Sequence, residues 1–297
     1  MPLYREFNTQ EELDWEYRPE ARIDDPKAFD KIIEQRKVQA EAAKKELTRR
    51  QADIYYGPTL LEKMDFYPAT AGGPIMIFIH GGYWFDFRLR KENYIWIAKG
   101  LNKAGVNVFI IDYQVCPMVT VDEITRQCRA AVAYVYRNAE HFGVDRERLH
   151  VTGNSAGGHL TAMMAVTDWV GEYGLPADII KSGYPISGLY DLEPFQWTWL
   201  QPKIQFNGQQ IRRNSPMFMV REKLPPLLIS WGAEESAEFW RQSEDFGAAW
   251  AARGNDMLLH PQTGCNHFSA ISGFADAESE FCSMVVQHME KSWTSMA

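Results

Sequence analysis

His150-Val151-Thr152-Gly153-Asn154-Ser155-Ala156-Gly157-Gly158-His159-Leu160-Thr161-Ala162-Met163 is the stretch of this 297-residue chain that decides its fold. An apolar run over 148–152 leads into Gly-X-Ser-X-Gly, and a helix-forming segment over 156–167 follows at once. Strand, sharp turn and helix, with serine at the corner, is the pattern of a nucleophile elbow. The turn must hold the Ser155 hydroxyl out at the edge of a sheet, and Gly153 and Gly157 remove side chains that would collide there. The serine then sits at a helix N-terminus, where backbone N–H groups favour developing negative charge. The rival reading is a glycine-rich strand-to-helix turn with an N-cap serine. The strand before and the helix after favour the elbow.

Outward from the elbow, apolar runs alternate with helical segments. Strands are expected at 74–79, 106–112, 148–152, 179–185, 226–231 and 257–260, and helices at 92–103, 121–142, 156–167, 237–253 and 278–293. Strands that are apolar throughout, each followed by a helix, imply an α/β fold with a mostly parallel central sheet and helices on both faces. Residues 52–56 and 61–67, with Gly57-Pro58 between them, read as an antiparallel pair at its edge. Residues 1–50 form an N-terminal helical arm. Its main helix, 25–50, carries Phe29, Ile32, Ile33, Val38 and Ala42 at roughly helical spacing, and it is expected to pack on the main domain or on a second copy in a homodimer. The main domain then runs over 51–297. Within it, 192–224 is a stretch rich in Trp, Gln, Pro and Phe and is expected to be a cap-like insertion over the site, since long connections of this kind are usually functional.

The rest of a catalytic apparatus can be sought in fixed slots. His80-Gly81-Gly82-Tyr83-Trp84 follows the strand ending at Ile79, where two glycines let backbone N–H groups turn toward a substrate carbonyl. Gly81 or Gly82, with Tyr83 as a further alternative, and the Ala156 amide are the expected oxyanion donors, each worth ~3 kcal/mol in the transition state. His80 itself is expected to hold the loop. Chain order in such enzymes is serine, acid, histidine. His267, in Gly264-Cys265-Asn266-His267-Phe268-Ser269 after the last strand, occupies the slot of the base. The acid should follow the preceding strand, within 231–236. Glu235 is the first candidate, and Asp191 and Glu234 are the alternatives. Tyr83, Trp84, Trp197 and Trp199 are the expected substrate-contacting aromatics, although packing explains each singly as well.

A net charge of −8 argues against a nucleic-acid or anionic-membrane partner. Four cysteines without CxxC pairing or zinc-ligand spacing read as reduced thiols. No apolar run of bilayer length is present, so the expected location is cytoplasmic and the expected partner is a small-molecule substrate. The chemistry calls for no metal and no organic cofactor.

Together, the elbow, His80–Trp84, Asp112-Tyr113, Gly188-Leu189-Tyr190-Asp191-Leu192-Glu193-Pro194, Glu238–Ser243 and Asn266–Ser269 resemble the kynurenine formamidase (arylformamidase)-like branch of the α/β-hydrolases, close to hormone-sensitive-lipase-like esterases. The resemblance covers most of the chain from about residue 51. It implies the triad Ser155, Glu235 and His267 and hydrolysis of a small amide or ester, an aryl formamide first. Carboxylester, carbamate and lactam cleavage are the alternatives, and a non-catalytic binding member of the fold is the reading of a different class. Two departures stand out: glutamate at 235 where the family usually has aspartate, and Asn154 and Gln114 where the esterase relatives usually have aspartate and arginine.

Overall fold

The computed structural model describes residues 1–294. Its centre is one eight-stranded sheet: β1 (Gln51–Tyr55), β2 (Lys63–Tyr67), β3 (Ile75–Ile79), β4 (Asn107–Ile111), β5 (Leu149–Asn154), β6 (Ser182–Ile186), β7 (Leu227–Gly232) and β8 (Met257–Gln262). The spatial order is β1-β2-β4-β3-β5-β6-β7-β8. β2 runs antiparallel to both β1 and β4, and all other pairs are parallel. This is the α/β-hydrolase arrangement.

Eleven α-helices accompany it among the described residues: α1 (Gln10–Tyr17), α2 (Ala28–Glu46), α3 (Ile97–Lys103), α4 (Val121–Arg137), α5 (Ala139–Phe142), α6 (Ala156–Val166), α7 (Trp169–Tyr173), α8 (Gln201–Ile204), α9 (Gly208–Asn214), α10 (Ala237–Ala252) and α11 (Glu280–Thr294). The strand period of two sorts the core into two layers. Ile75, Ile77 and Ile79 of β3 pack with residues of α4, α6 and α10 on one face. Met76 and Phe78 pack with residues of α2, α3 and α11 on the other. β3 is therefore buried along its whole length, which is why it reads as an unbroken apolar run.

The helix expected at 121–142 is interrupted at Asn138, whose side chain bonds back to the Tyr134 carbonyl at 2.8 Å and separates α4 from α5. The strand expected from 179 begins at Ser182. The arm helix turns differently from its apolar pattern. Its buried residues are Ala28, Ile33, Arg36, Ala40 and Ala43, whereas Val38 and Ala42 face solvent. The side chains Ile33, Arg36, Ala40 and Ala43 share one helical stripe, and a single arginine within it shifted the apparent apolar face. No helix among the described residues is long and apolar enough to cross a membrane. All four cysteines are free thiols.

Candidate active site

The strand order reverses at β3 and β5, neighbours paired Ile79↔Gly153 at their carboxyl ends. Open α/β sheets bind ligands in the crevice at such a switch point. Both sequence motifs emerge here, His80–Trp84 from β3 and Ser155 from β5. Ser155 sits at φ 58°, ψ −122°, a strained conformation for a residue with a side chain. The glycines around it are required by contact. A Cβ on Gly157 would lie 2.0 Å from the Ile79 carbonyl oxygen, and one on Gly153 would lie 2.4 Å from the same atom. On Gly81 it would meet the Asn154 carbonyl oxygen at 2.7 Å. β3 and the elbow thus approach more closely than any side chain permits. As the first residue of α6, Ala156 has an amide without an intrahelical acceptor.

His267 Nδ1 lies 2.6 Å from Glu235 Oε2. The other carboxylate oxygen, Oε1, accepts the Ser187 hydroxyl at 2.5 Å and the Gly232 amide at 2.7 Å. Both oxygens of this buried side chain are thereby engaged, and its orientation is fixed by three partners. The loop bearing His267 is shaped by Asn266, whose side chain accepts the amides of Phe268 at 3.0 Å and Ser269 at 3.1 Å. Phe239 packs against the imidazole with ring centres 4.6 Å apart. Of the other two acid candidates, Glu234 is exposed, while Asp191 is buried and accepts the Tyr4 phenol at 2.9 Å and the Glu193 amide at 3.0 Å. Neither is bonded to His267, whose acid partner is Glu235. Sequence alone does not single out Ser187, because a serine after β6 carries no pattern that announces a role.

His80 holds its loop as expected: Nε2 lies 3.1 Å from Asp112 Oδ1, and its own carbonyl accepts the Tyr113 hydroxyl at 2.7 Å. Gly82 at φ 125°, Tyr83 at 52° and Trp84 at 59° then swing the chain sharply. That swing corrects the expectation for Trp84. Its ring is fully buried, and its indole N–H donates to His159 Nδ1 at 3.1 Å, so it cannot touch a substrate. His159 passes the chain on through Nε2 to the Asn214 carbonyl at 2.7 Å. An indole only donates, so His159 is the neutral Nε2–H tautomer. Burial pushes its pKa down to about 4. Trp197 is corrected as well: it is exposed and outside the lining of the cleft. Tyr83 lines the cleft and donates its hydroxyl to Glu20 at 2.5 Å. Trp199 is half-buried edge-on to Tyr83 at 5.3 Å and Phe85 at 5.7 Å.

Ser155 and His267 open onto one narrow cleft of about 290 Å³, mouth included, shared with Gly81, Gly82 and Asn154. Much of its wall was not foreseen. Phe29 and Arg36 come from α2, and Leu89, Tyr94 and Phe268 from the body. The arm is tied down around the site. Tyr17 donates to Glu238 at 2.5 Å, and Asp14 accepts the Trp199 amide at 2.7 Å. The 192–224 segment is anchored beside it by Asn214, which reaches His159 and donates to Asp122 at 2.8 Å. A larger open hollow, between the end of α2 and α3, is lined by residues such as Leu47, Arg49, Lys99 and Asp276 and holds no serine–histidine pair. Among the described residues no cluster of three His, Cys, Asp or Glu side chains could hold a metal ion.

Comparison with known proteins decides the family: the BD-FAE family model matches residues 64–249. The chain belongs to the BD-FAE family of α/β-hydrolases. Within it, this hydrolase lies on the kynurenine formamidase-like branch. It is 31% identical over 255 residues to the kynurenine formamidase of Salmo salar, covering 83% of this chain and 84% of that one. A protein of Silicibacter sp. TM1040 to which thioesterase activity has been ascribed superposes with a TM-score of 0.78 at 28% identity, over 92% of this chain and 98% of its own. The esterase of Pyrobaculum calidifontis shares the fold, with a TM-score of 0.70 at 20% identity over 90% and 92% of the two chains. As a member of this family the protein is a serine hydrolase of esters or amides.

Proposed function

We propose that this hydrolase cleaves an aryl formamide through a formyl-enzyme, with Ser155 as nucleophile, His267 as general base and Glu235 as the acid that orients it. The observation that carries the reading is that His267, whose Nδ1 lies 2.6 Å from Glu235, lines the same cleft as Ser155. The contact with Glu235 leaves Nε2 as the ring nitrogen free to take a proton. Similarity to the Salmo salar kynurenine formamidase supports the formamide as substrate. In the first step Ser155 Oγ attacks the formyl carbon while its proton passes to His267. The oxyanion rests on the Ala156 amide and an amide of the Gly81–Gly82 turn. His267 then hands its proton to the departing aniline nitrogen. Water, deprotonated by the same imidazole, attacks the formyl ester and releases formate and free Ser155. Glu235 keeps Nδ1 protonated and stabilises the imidazolium in both steps.

The test is hydrolysis of N-formylkynurenine, an aryl acetate, an aryl carbamate, a lactam and an aryl thioacetate by the wild type and Ser155→Ala. The expected result is a formamide preference of ~100-fold or more in kcat/KM, about 2.7 kcal/mol, that disappears in the variant. A winning ester or thioester would overturn the formamide. Full activity of Ser155→Ala would overturn the nucleophile.

A further inference from the structure

We propose that Arg36, on the arm helix α2, is the recognition group for a carboxylate carried by the substrate. The inference rests on the reading of the Ser155 cleft as the active site. Arg36 is only 5% exposed, yet it lines that cleft with Gly81, Gly82, Asn154, Ser155 and His267. One terminal nitrogen, Nη1, donates to the Tyr94 hydroxyl at 2.6 Å, and the guanidinium lies over the Tyr94 ring, 4.9 Å from its centre. The other, Nη2, is buried with no hydrogen-bond partner.

A guanidinium stays charged in proteins, and a buried cation without a counter-charge is costly. Such groups are paired as a rule. Here no ion pair joins Arg36 to any carboxylate of the described residues, and the acids around the site are already committed. Asp86 is held by Arg88 through contacts of 2.7 and 2.9 Å, Glu20 takes the Tyr83 hydroxyl, and Glu235 serves His267. None of the described residues supplies the anion, and the open side of the cleft is where one from solution would meet it. A planar fork with a free N–H edge matches a carboxylate. Phe29, Leu89 and Phe268 supply apolar wall in the same cleft. The occupant is therefore an apolar or aromatic molecule that carries an acid group as well as the scissile carbonyl.

The experiment measures charge preference in two matched pairs: N-formylkynurenine against its α-carboxamide, and 3-acetoxybenzoate against phenyl acetate. For each pair the ratio of kcat/KM, acid over neutral, is compared between wild type, Arg36→Leu and Arg36→Lys. Intrinsic reactivity cancels between enzymes. The expected result is a wild-type preference for the acid that falls by about tenfold or more in Arg36→Leu, the scale of a lost charge-assisted hydrogen bond, and less in Arg36→Lys. An unchanged ratio, or no acid preference in the wild type, overturns the proposal, because a purely structural Arg36 would depress both members alike. Should Arg36→Leu fail to fold, inhibition of wild type by benzoate against benzamide reads the same discrimination, and equal inhibition overturns it. The ester pair separates the two readings: charge preference there with no formamide turnover leaves Arg36 standing and removes the formamide.

Discussion

Glu235 shows how one side chain is fixed by groups far apart in sequence. Its Oε1 is shared by Ser187 and Gly232, leaving Oε2 for His267. Glutamate is longer than the aspartate usual in this slot, and the two extra donors hold the longer arm in one orientation. Removing charge and removing support should therefore differ. Glu235→Gln is expected to lower kcat by about 10³–10⁴-fold, because the amide cannot keep Nδ1 protonated in the reactive tautomer. Ser187→Ala, which leaves the carboxylate but loosens it, should cost about 10–150-fold, the scale of one hydrogen bond to a charged group. Steady-state kinetics with unchanged circular dichroism checks both, and a Ser187→Ala effect as large as that of Glu235→Gln would assign Ser187 more than a positioning part.

At the scale of elements, the site depends on how closely β3 meets the strand–helix junction of β5 and α6. The Gly157 position is 2.0 Å from a backbone oxygen of β3 once a Cβ is added, whereas Gly208, at the start of α9, has open space around it. Gly157→Ala should destabilise the fold by roughly 3 kcal/mol or more and abolish activity, since backbone rather than a movable side chain must yield. Gly208→Ala should be neutral or stabilise by about 0.5 kcal/mol. Denaturant midpoints of the two variants measure the contrast, and equal midpoints would contradict the close approach. This junction was legible in sequence because its constraint is local: two glycines around a serine, a strand before and a helix after. The His267 loop was legible for the same reason, through its slot after the last strand. What stayed hidden depends on rotation and direction. An apolar count along α2 could not place Arg36 inward, and nearness to the glycines could not reveal that positive φ at Tyr83 and Trp84 sends Trp84 into the core. Ser187 and Arg36 bond to partners about 50 to 60 residues away, which no window along the chain spans.

For the molecule as a whole, two of the buried histidines away from the His267–Glu235 contact, His159 and His150, shape its behaviour in acid. Burial lowers the pKa of His159 to about 4 and that of His150 to about 3, the latter also beside His288. Above pH ~6.5 both are neutral whether the chain is folded or not, and their contribution to stability is complete. As pH falls below that, the unfolded chain takes up protons that the folded core refuses, and stability is lost on the way down to the folded values. The expected outcome is a steep fall in unfolding free energy between pH 6.5 and 4, by a few kcal/mol per histidine as an order of magnitude. Urea titrations across that range measure it. In His159→Gln the slope should be shallower by about 1.4 kcal/mol per pH unit, one proton fewer on unfolding, and an identical slope would remove His159 from the account. The same molecule has a further property, set by the order in which it is made. Tyr17, Phe29 and Arg36 leave the ribosome early, but Trp199, Glu238 and Phe268, on which this segment docks, are synthesised much later. This segment is therefore made before the surfaces on which it docks. On the proposed mechanism, a nascent chain that has formed the Ser155 elbow but has not yet exposed His267 and Phe268 lacks both the base and the far wall of the cleft, so it should not turn over acyl compounds.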